Sequence, residues 1–346
     1  MATQTPAAPA DVIEPPGGVL DPETSSADDY DDSDSAIGSD DSRSSLQSLT
    51  SSITNYVYKN GRRYAAFREG RYPLPNDEME CDRNDFLQHI YGMLFGGRLI
   101  FAPISDSPRR ILDIGTGTGI WAMNVADAYP SAEVKGTDLS PIQPTWVPPN
   151  LSFEIDDAES TWTFKRKFDL IHFQNMNGAI SNWKKLFKQI YDNLEPGGFI
   201  ECKECEVQAR SDDDSIPKSS ALRIWEEKCM QACATLGMPM DAPLYVKKMI
   251  EEAGFVDVVE RLYKLPMNTW PKDPEYKEIG RYQFAQYMDA LKPYALGLLV
   301  EVLGWTVEEM EVFLVGVRQD IANRNYHGYH VVHVITGRKP FDHEKT

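Results

Sequence analysis

The sequence predicts an α/β fold with a seven-stranded, mostly parallel sheet and helices on both of its faces. Three features predict it. A short apolar segment leads directly into a glycine-rich turn and an apolar helix over residues 111–128. Further strand-length apolar segments follow at the spacing of strand–helix–strand units, and acidic residues stand directly after several of them. This alternation is typical of parallel sheets, whose crossover helices cover both faces and whose ligands bind at the carboxyl ends of the strands.

The glycine-rich turn lies in the segment ILDIGTGTGIWA, residues 111–122. Apolar residues surround Asp113, which indicates a buried strand, and a helix is expected over Ile120–Ala128. Glycine adopts backbone angles that other residues resist, and it lets a ligand approach the main chain closely. We therefore expect a cofactor loop, with Asp113 facing the same crevice. The loop residues expected to bind the cofactor are Gly115, Thr116, Gly117 and Gly119.

The spacing of these glycines bears on the identity of the cofactor. The dinucleotide-binding fingerprint has a third glycine where this chain has Ile120. S-adenosyl-L-methionine carries no phosphate, and its ammonium, carboxylate and sulfonium groups suit an acidic strand end and free backbone N–H groups. The loop therefore favours S-adenosyl-L-methionine over a cofactor that contains a pyrophosphate.

A second strand is predicted over residues 133–137 and is followed by Asp138 and Leu139, about one strand–helix–strand unit after Asp113. An acid at this point can accept hydrogen bonds from both ribose hydroxyls, and Leu139 is expected to contact the cofactor beside it. Nucleotide dehydrogenases have an acid at the same place for the same reason, so this feature alone leaves both classes open.

The third and fourth strands supply the remaining cofactor residues. Asp156, Asp157 and Ala158 follow the third strand, Leu151–Ile155, where a carboxylate can bind the adenine amino group. Asn175 stands at the carboxyl end of the fourth strand, within residues 168–176. Because the carboxyl ends of parallel strands meet at one edge of the sheet, we expect these side chains to converge.

The second half of the chain completes the sheet. A helix over residues 183–194 ends at the turn Glu195–Gly198, after which the fifth strand begins, and residues 255–265 form the sixth. Residues 272–323 are predicted as a helical insertion before the seventh strand, 329–338. The expected helices of this region cover residues 219–236, 242–253, 276–290 and 294–303, with a further helix that opens at Thr306. The insertion is expected to form a lid over the acceptor pocket.

Composition divides the chain into four parts. Residues 1–52 are predicted to be a disordered acidic tail, because the first fifty contain eleven acids, one base and almost no apolar core residues. Residues 53–104 are an aromatic and helical segment, with a helix from about Asp77 expected to pack across the cofactor site. Residues 105–340 form the α/β domain and residues 341–346 a C-terminal tail. Tyr58, Tyr64, Phe67 and Tyr72 are candidates to line a substrate pocket.

Charge and cysteine content exclude several classes of function. The net charge is −18, which argues against direct nucleic-acid binding. No segment has the length or composition of a membrane span or a signal peptide, so a cytoplasmic or nuclear location is expected. The five cysteines are expected as reduced thiols. Cys202 and Cys205 fall on opposite faces of the predicted fifth strand, so no metal site is expected.

Six segments together carry a resemblance to a known family. The chain resembles the fungal LaeA-like methyltransferases from about residue 56 to residue 340. The resemblance implies a class I, Rossmann-like methyltransferase fold, S-adenosyl-L-methionine as cofactor and a role in fungal secondary metabolism. Some members are nuclear regulators that associate with velvet-domain proteins, and others are tailoring enzymes. The segments are YKNGRRYAAFREGRYPLPNDEMECDR, ILDIGTGTGIWA, GTDLSPIQPTWVPPN, DDAESTW, LEPGGFIE and VITGRKP.

The same resemblance implies roles for individual residues. Asp138 matches the ribose acid, and Asp157 and Ala158 match the adenine-binding stretch. The residues that match the loop on the methionine side are Asp113, Gly115, Gly117 and Gly119.

Two functional hypotheses follow. The first is a methyltransferase that acts on a small molecule or a protein, and the alternative is a non-catalytic or weakly catalytic regulatory partner of velvet-type proteins. A dehydrogenase is a more distant third. If the acceptor must lose a proton, the candidate bases are His172, Glu204, His327 and His330. His172 is expected in the core, and Glu204, placed after the fifth strand, and His327, placed before the last strand, are favoured.

Overall fold

The computed structural model describes residues 11–12, 56–65 and 73–344. The predictions for the rest of the acidic tail, for Phe67 and for Tyr72 lie outside these residues. The described chain forms one central sheet with helices on both faces and a small two-stranded hairpin near its start.

The described residues form ten strands, of which eight belong to the central sheet. They are β1 (Asp11–Val12), β2 (Val57–Lys59), β3 (Arg62–Tyr64), β4 (Arg110–Ile114), β5 (Glu133–Asp138), β6 (Leu151–Ile155), β7 (Phe168–Gln174), β8 (Leu194–Cys205), β9 (Val256–Pro266) and β10 (Tyr329–Arg338). The α-helices are α1 (Glu78–Leu94), α2 (Ile120–Ala128), α3 (Trp183–Asn193), α4 (Ala221–Thr235), α5 (Val246–Glu252), α6 (Pro274–Ala295) and α7 (Val307–Ala322).

The order of strands in the sheet is β1, β9, β10, β8, β7, β4, β5, β6. Only β10 is antiparallel to its neighbours, β8 and β9, so all seven predicted strands are present in a mostly parallel sheet. The eighth, β1, was not expected, because its two residues belong to the predicted tail. It pairs in parallel with Arg261 and Leu262 of β9. Without β1, the outer backbone N–H and C=O groups of β9 would be unpaired at the edge of the sheet.

The centre of the sheet is fully buried because helices cover both faces. Ile111, Leu112 and Ile114 of β4 have at most 1% of their surface exposed. Such continuous apolar runs are typical of parallel strands packed on two sides. The core therefore fixes the carboxyl ends of β4, β5 and β7 next to one another, and the functional residues follow these ends.

Helix α1 begins where the sequence predicts. The Asp77 side chain caps it by accepting a hydrogen bond from the Glu80 backbone N–H over 3.1 Å. The helix packs against α6, with the rings of Phe86 and Tyr282 5.7 Å apart. The N-terminal segment and the insertion therefore meet above the sheet edge.

The predicted division of the insertion into two helices before Thr306 is wrong. A single helix, α6, continues through Pro293 and passes into a π-helical turn, Leu296–Val300. In this wider turn Glu301 N–H donates to the Leu296 carbonyl over 3.1 Å. Helix α7 begins at Thr306 with the expected cap, in which Thr306 and Glu309 bond each other's backbone N–H. No described helix is long and apolar enough to cross a membrane.

Candidate active site

A first cavity lies at the carboxyl ends of β4, β5, β6 and β7, beneath α1. It encloses about 1300 Å³, including its mouth. Helix α1 forms one wall, as expected from the sequence. The predicted cofactor residues that line this first cavity are Gly115, Thr116, Gly117, Asp138, Leu139, Asp156, Asp157, Ala158 and Asn175.

The glycine turn serves two purposes. Gly117 has a φ of +58°, and a Cβ there would meet no atom within 4 Å, so its backbone borders open space in the first cavity. Gly119 does not line the cavity. With a φ of +84° it precedes α2, and a Cβ there would stand 2.3 Å from the ring of Phe153. This third glycine is therefore required for packing against β6 and not for contact with a ligand.

Asp113 does not line the first cavity either, which corrects the expectation that it faces the crevice. It is buried, accepts a hydrogen bond from Thr116 Oγ1 over 2.6 Å and lies 2.7 Å from His172 Nδ1. Burial raises the pKa of Asp113 to about 7 and lowers the pKa of His172 well below its ordinary value. His172 stacks on Trp121 at 3.6 Å, so it is a core residue, as expected. Asp113 thus supports the turn from below.

Asp138 reaches the first cavity from the end of β5. Its two carboxylate oxygens accept hydrogen bonds from the backbone N–H groups of Gly117 and Ser140, each over 2.9 Å. Burial raises its pKa to about 6, although these hydrogen bonds oppose the shift. The carboxylate is therefore held in a fixed orientation, and each oxygen keeps a further lone pair for a ligand hydroxyl.

The turn after β6 is held by its own carboxylates. Asp156 Oδ1 accepts a hydrogen bond from Asp157 N–H over 2.8 Å, and Asp157 Oδ1 accepts one from Glu159 N–H over 2.9 Å. These bonds fix the backbone of Ala158 at the wall of the cavity. Burial raises the pKa of Asp156.

The charge of the lining is one-sided. Among the described residues that line the first cavity, none is Lys, Arg or His. The acidic residues of the lining are Glu80, Asp138, Asp156, Asp157 and Glu159. A pyrophosphate would find no basic side chain here, whereas a cationic ligand would be favoured.

A second cavity of about 1010 Å³ adjoins the first. Asn84, Leu87 and Asn175 line both cavities. The second cavity is bounded by α1, α4, α6 and the ends of β8 and β10. Sequence reasoning placed a lid here but did not find most of the lining residues, because they come from elements far apart in the chain. The lining residues that it missed include Tyr91, Trp225, Gln283, Gln286, Tyr287 and Tyr294.

Glu204 lines the second cavity, but it lies within β8 and not after it, which corrects the sequence prediction. It is fully buried, and its carboxylate accepts hydrogen bonds from the backbone N–H groups of Met176 and Asn177 over 2.9 and 3.0 Å. Burial raises its pKa to about 8. The main visible role of Glu204 is to hold the turn that follows Asn175.

His327, the other favoured base, lines neither cavity. Its Nδ1 lies 2.5 Å from Asp213 Oδ2, and its ring packs 5.3 Å from that of Trp270. His330, which the sequence analysis ranked lower, lines the second cavity. His330 reaches the second cavity because it lies within β10, whereas His327 lies in the loop before that strand.

The aromatic residues of the N-terminal hairpin do not line either cavity. Tyr58 is 71% exposed, and Tyr64 is buried away from both cavities. Among the described residues no group of three or more His, Cys, Asp or Glu side chains is placed to hold a metal ion. Cys202 and Cys205, like the other three cysteines, are free thiols.

Comparison with known proteins identifies the class to which this fold and site belong. The profile described as "Methyltransferase domain" matches residues 86–260. The chain is 40% identical over 302 residues to "Methyltransferase pytC" of Aspergillus terreus, covering 87% of this chain and 93% of that protein. It is 38% identical over 294 residues to "Secondary metabolism regulator LAE1" of Cochliobolus heterostrophus, covering 83% and 95%. It is 33% identical over 303 residues to "Protein-methionine methyltransferase laeA" of Emericella nidulans, covering 86% and 80%.

Two solved structures are also similar. "Cyclopropane synthase MmaA2" of Mycobacterium tuberculosis has a TM-score of 0.46 and 15% identity, over 73% of this chain and 84% of that chain. "Phosphoethanolamine N-methyltransferase 2" of Haemonchus contortus, in complex with S-adenosyl-L-methionine, has a TM-score of 0.43 and 17% identity, over 74% and 52%.

The fold and site define an α/β protein with two adjoining cavities at the carboxyl edge of a mostly parallel sheet. The chain belongs to the methyltransferase domain family, as an S-adenosylmethionine-dependent methyltransferase related to pytC and to the LaeA regulators of secondary metabolism.

Proposed function

We propose that the first cavity binds S-adenosyl-L-methionine, that the second binds the methyl acceptor, and that transfer occurs where the two meet. The observation that carries this proposal is the shared wall formed by Asn84, Leu87 and Asn175. Methyl transfer is an in-line displacement, so the donor sulfur and the acceptor atom must lie on opposite sides of the methyl carbon. Two adjoining cavities can supply that arrangement.

The residues of the first cavity fit this cofactor. Asp138 is oriented to accept hydrogen bonds from ribose hydroxyls, and Asp157 with Ala158 would contact the adenine. Gly115 and Asn175, at the ends of β4 and β7, would border the methionine part. The acidic lining without a basic residue supports a sulfonium-bearing cofactor over a dinucleotide. When bound, the cofactor supplies an activated methyl group on a positively charged sulfur.

A small-molecule acceptor is better supported than a protein acceptor. Tyr91, Trp225 and His330 line the second cavity, and each has no more than 6% of its surface exposed. Helices α1 and α6 pack against each other at this edge of the sheet. A concave pocket lined by buried aromatic side chains with a few polar groups is typical of small-molecule sites.

A regulatory role is the second candidate. Its support is the 38% identity to a protein named as a secondary metabolism regulator. In that case the acceptor is a protein, as the name of the Emericella nidulans relative states for that relative. Association with a velvet-domain protein and a nuclear or cytoplasmic location stay predictions of the sequence.

Isothermal titration with S-adenosyl-L-methionine and S-adenosylhomocysteine tests the proposal. The wild-type protein should bind both. Asp138→Asn should weaken binding roughly tenfold or more, because charge-assisted hydrogen bonds contribute about 1.5–3 kcal/mol. Asp127→Asn, on the exposed face of α2, is the matched control and should leave affinity unchanged. Absence of binding by the wild-type protein would contradict the proposal.

A further inference from the structure

This inference rests on the function proposed above and concerns the acceptor. We propose that the second cavity selects a neutral, flat molecule with a phenolic or enolic hydroxyl, and that His330 Nε2 accepts the proton of the hydroxyl that is methylated. Three observations support the proposal. They are the tautomer of His330, the buried acceptor oxygens without partners near the cavity, and the pairing of the charged residues in its lining.

The surroundings of His330 determine which ring nitrogen carries the proton. Its Nδ1 lies 3.1 Å from the backbone carbonyl of Glu206. A carbonyl can only accept, so Nδ1 is the protonated nitrogen and donates. Nε2 is then the basic nitrogen of a side chain that lines the second cavity with 6% of its surface exposed. Burial lowers the pKa of His330 to about 4, so the imidazole is neutral at physiological pH.

Two further lining residues hold acceptor atoms just beneath the surface of the second cavity. The Oε1 of Gln283 and the Oδ1 of Asn177 are buried and have no hydrogen-bond partner among the described residues. The orientation of the Asn177 amide is fixed, because its Nδ2 donates to the Met240 carbonyl over 2.9 Å. A buried acceptor without a partner is costly, so a bound molecule with hydroxyl donors is favoured. Together with His330 Nε2, these oxygens favour a ligand that donates hydrogen bonds over one that only accepts them.

The charged lining residues already have partners. Arg83 bonds Glu80 over 2.5 Å within α1, and Glu206 bonds His333 over 2.8 Å. The carboxyl of Glu204 has a raised pKa of about 8 and accepts two backbone N–H bonds. Neither an anionic nor a cationic acceptor therefore finds a counter-charge available.

The shape of the ligand follows from the aromatic side chains. The lining contains Tyr91, Trp225, Tyr287 and Tyr294. Aromatic walls favour a flat apolar body, against which rings can stack or pack edge to face. The lining as a whole thus suits a hydroxylated aromatic or conjugated molecule.

The reaction balances with these groups alone. The acceptor oxygen forms a bond to the methyl carbon as the sulfur–methyl bond breaks and the sulfonium becomes a neutral thioether. The hydroxyl proton passes to His330 Nε2 and then to solvent. The ionisable groups that face His330 are Glu206, directly after β8, Arg223 on α4 and Tyr287 on α6. The ring centroids of Tyr287 and His330 are 5.5 Å apart.

The test uses matched probes that differ only in the accepting atom. 2-Naphthol, 2-naphthylamine and 2-naphthalenethiol are each incubated with the protein and with S-adenosyl-L-methionine labelled in its methyl group. We expect methylation of the naphthol, at least tenfold faster than that of the amine or the thiol. His330→Asn keeps a donor for the Glu206 carbonyl and removes Nε2, and it should lower kcat about 100-fold or more.

The pH profile separates a base from a structural residue. The wild-type kcat should be constant between about pH 6 and pH 7, because His330 and the Glu204 carboxyl both stay neutral there. In His330→Asn it should rise about tenfold per pH unit, because the hydroxyl must then ionise in solution. His327→Asn, which changes a histidine outside both cavities, should match the wild type. Gln283→Leu should raise KM about tenfold with kcat within twofold, because it removes one hydrogen bond in binding.

The outcomes distinguish this proposal from the function on which it rests. If the wild type does not bind S-adenosyl-L-methionine, the proposed function fails. If it binds the cofactor but the amine or thiol is the better substrate, the acceptor class is overturned. The acceptor class is also overturned if 2-naphthol is not methylated and does not raise the Tm of the S-adenosylhomocysteine complex. If folded His330→Asn keeps the wild-type rate and pH profile, His330 is not the base.

Discussion

Tyr91 donates a hydrogen bond to Asn175 over 2.8 Å, at the place where the two cavities adjoin. Tyr91 belongs to α1 in the N-terminal segment, and Asn175 ends β7 in the sheet with a positive φ of 54°. The bond therefore joins the cover of the site to its floor. It also sets the direction of the Asn175 amide, which lines both cavities.

Removal of the Tyr91 hydroxyl should slow catalysis without weakening cofactor binding. Tyr91→Phe deletes the hydrogen bond to Asn175, and a bond of this kind contributes about 0.5–1.5 kcal/mol. We expect kcat to fall up to roughly tenfold, while the dissociation constant of S-adenosyl-L-methionine changes less than twofold. Steady-state kinetics and calorimetry on the same samples measure both. Tyr58→Phe is the control, because Tyr58 is exposed and remote from both cavities.

A methyl group at Gly117 should obstruct the cofactor. Gly117 borders open space in the first cavity at a φ of +58°. Gly117→Ala therefore places a side chain where the cofactor would lie and adds backbone strain of about 1–2 kcal/mol. Cofactor affinity should fall tenfold or more. Gly304→Ala introduces similar strain, at a φ of +74° with no neighbour within 4 Å, but away from the cavities. An equal loss of affinity in both variants would assign the effect to strain.

Two helical glycines should respond in opposite directions to alanine. A Cβ on Gly297 would stand 2.2 Å from the backbone carbonyl oxygen of Pro73, whereas a Cβ on Gly92 would meet nothing within 4 Å. We expect Gly297→Ala to lower the free energy of unfolding by about 1–3 kcal/mol, because backbone must move. Gly92→Ala should raise it by about 0.5–1 kcal/mol through helix propensity. Urea titrations measure both, and equal effects would contradict the close packing of Pro73 on the insertion.

Buried carboxyl groups should make the protein progressively less stable as the pH rises from about 4 to about 8. The folded pKa values of Glu204 and Asp113 are about 8 and about 7, above the ordinary values of 4.5 and 3.8. Between the ordinary and the raised values the folded state binds more protons than the unfolded state, so the free energy of unfolding falls with increasing pH.

We expect a fall of about 1 kcal/mol or more between pH 6.5 and pH 8. His330, whose pKa is about 4 when folded and 6.5 ordinarily, opposes this fall weakly near pH 6.5 and has no effect near pH 8, where it is neutral in both states. Urea unfolding at several pH values, with an unchanged m value as the control, measures the effect. Constant or rising stability over this range would show that these carboxyls ionise normally.

The glycine turn and the acids of the first cavity could be predicted because their signals are local. The glycine spacing, the acid after β5 and the acids after β6 each stand next to the strand that positions them. Sequence reasoning did not determine which face of a fully buried strand a side chain occupies. Asp113 therefore seemed to face the ligand, although it turns toward His172 in the core.

The second cavity could not be assembled from sequence in the same way. Its lining combines residues from α1, α4 and α6 with residues from β8 and β10, and only the tertiary packing brings them together. His327 and His330 illustrate the consequence. Both are histidines and they are only three residues apart, yet only His330, within β10, reaches the second cavity.

A crystal structure of the S-adenosylhomocysteine complex tests the central claim most directly. The account predicts the adenosyl part beside Asp138 and Asp157, with the sulfur directed past Asn175 toward the second cavity. The account would be contradicted by a ligand bound outside the first cavity, or by a sulfur directed away from the wall that the two cavities share.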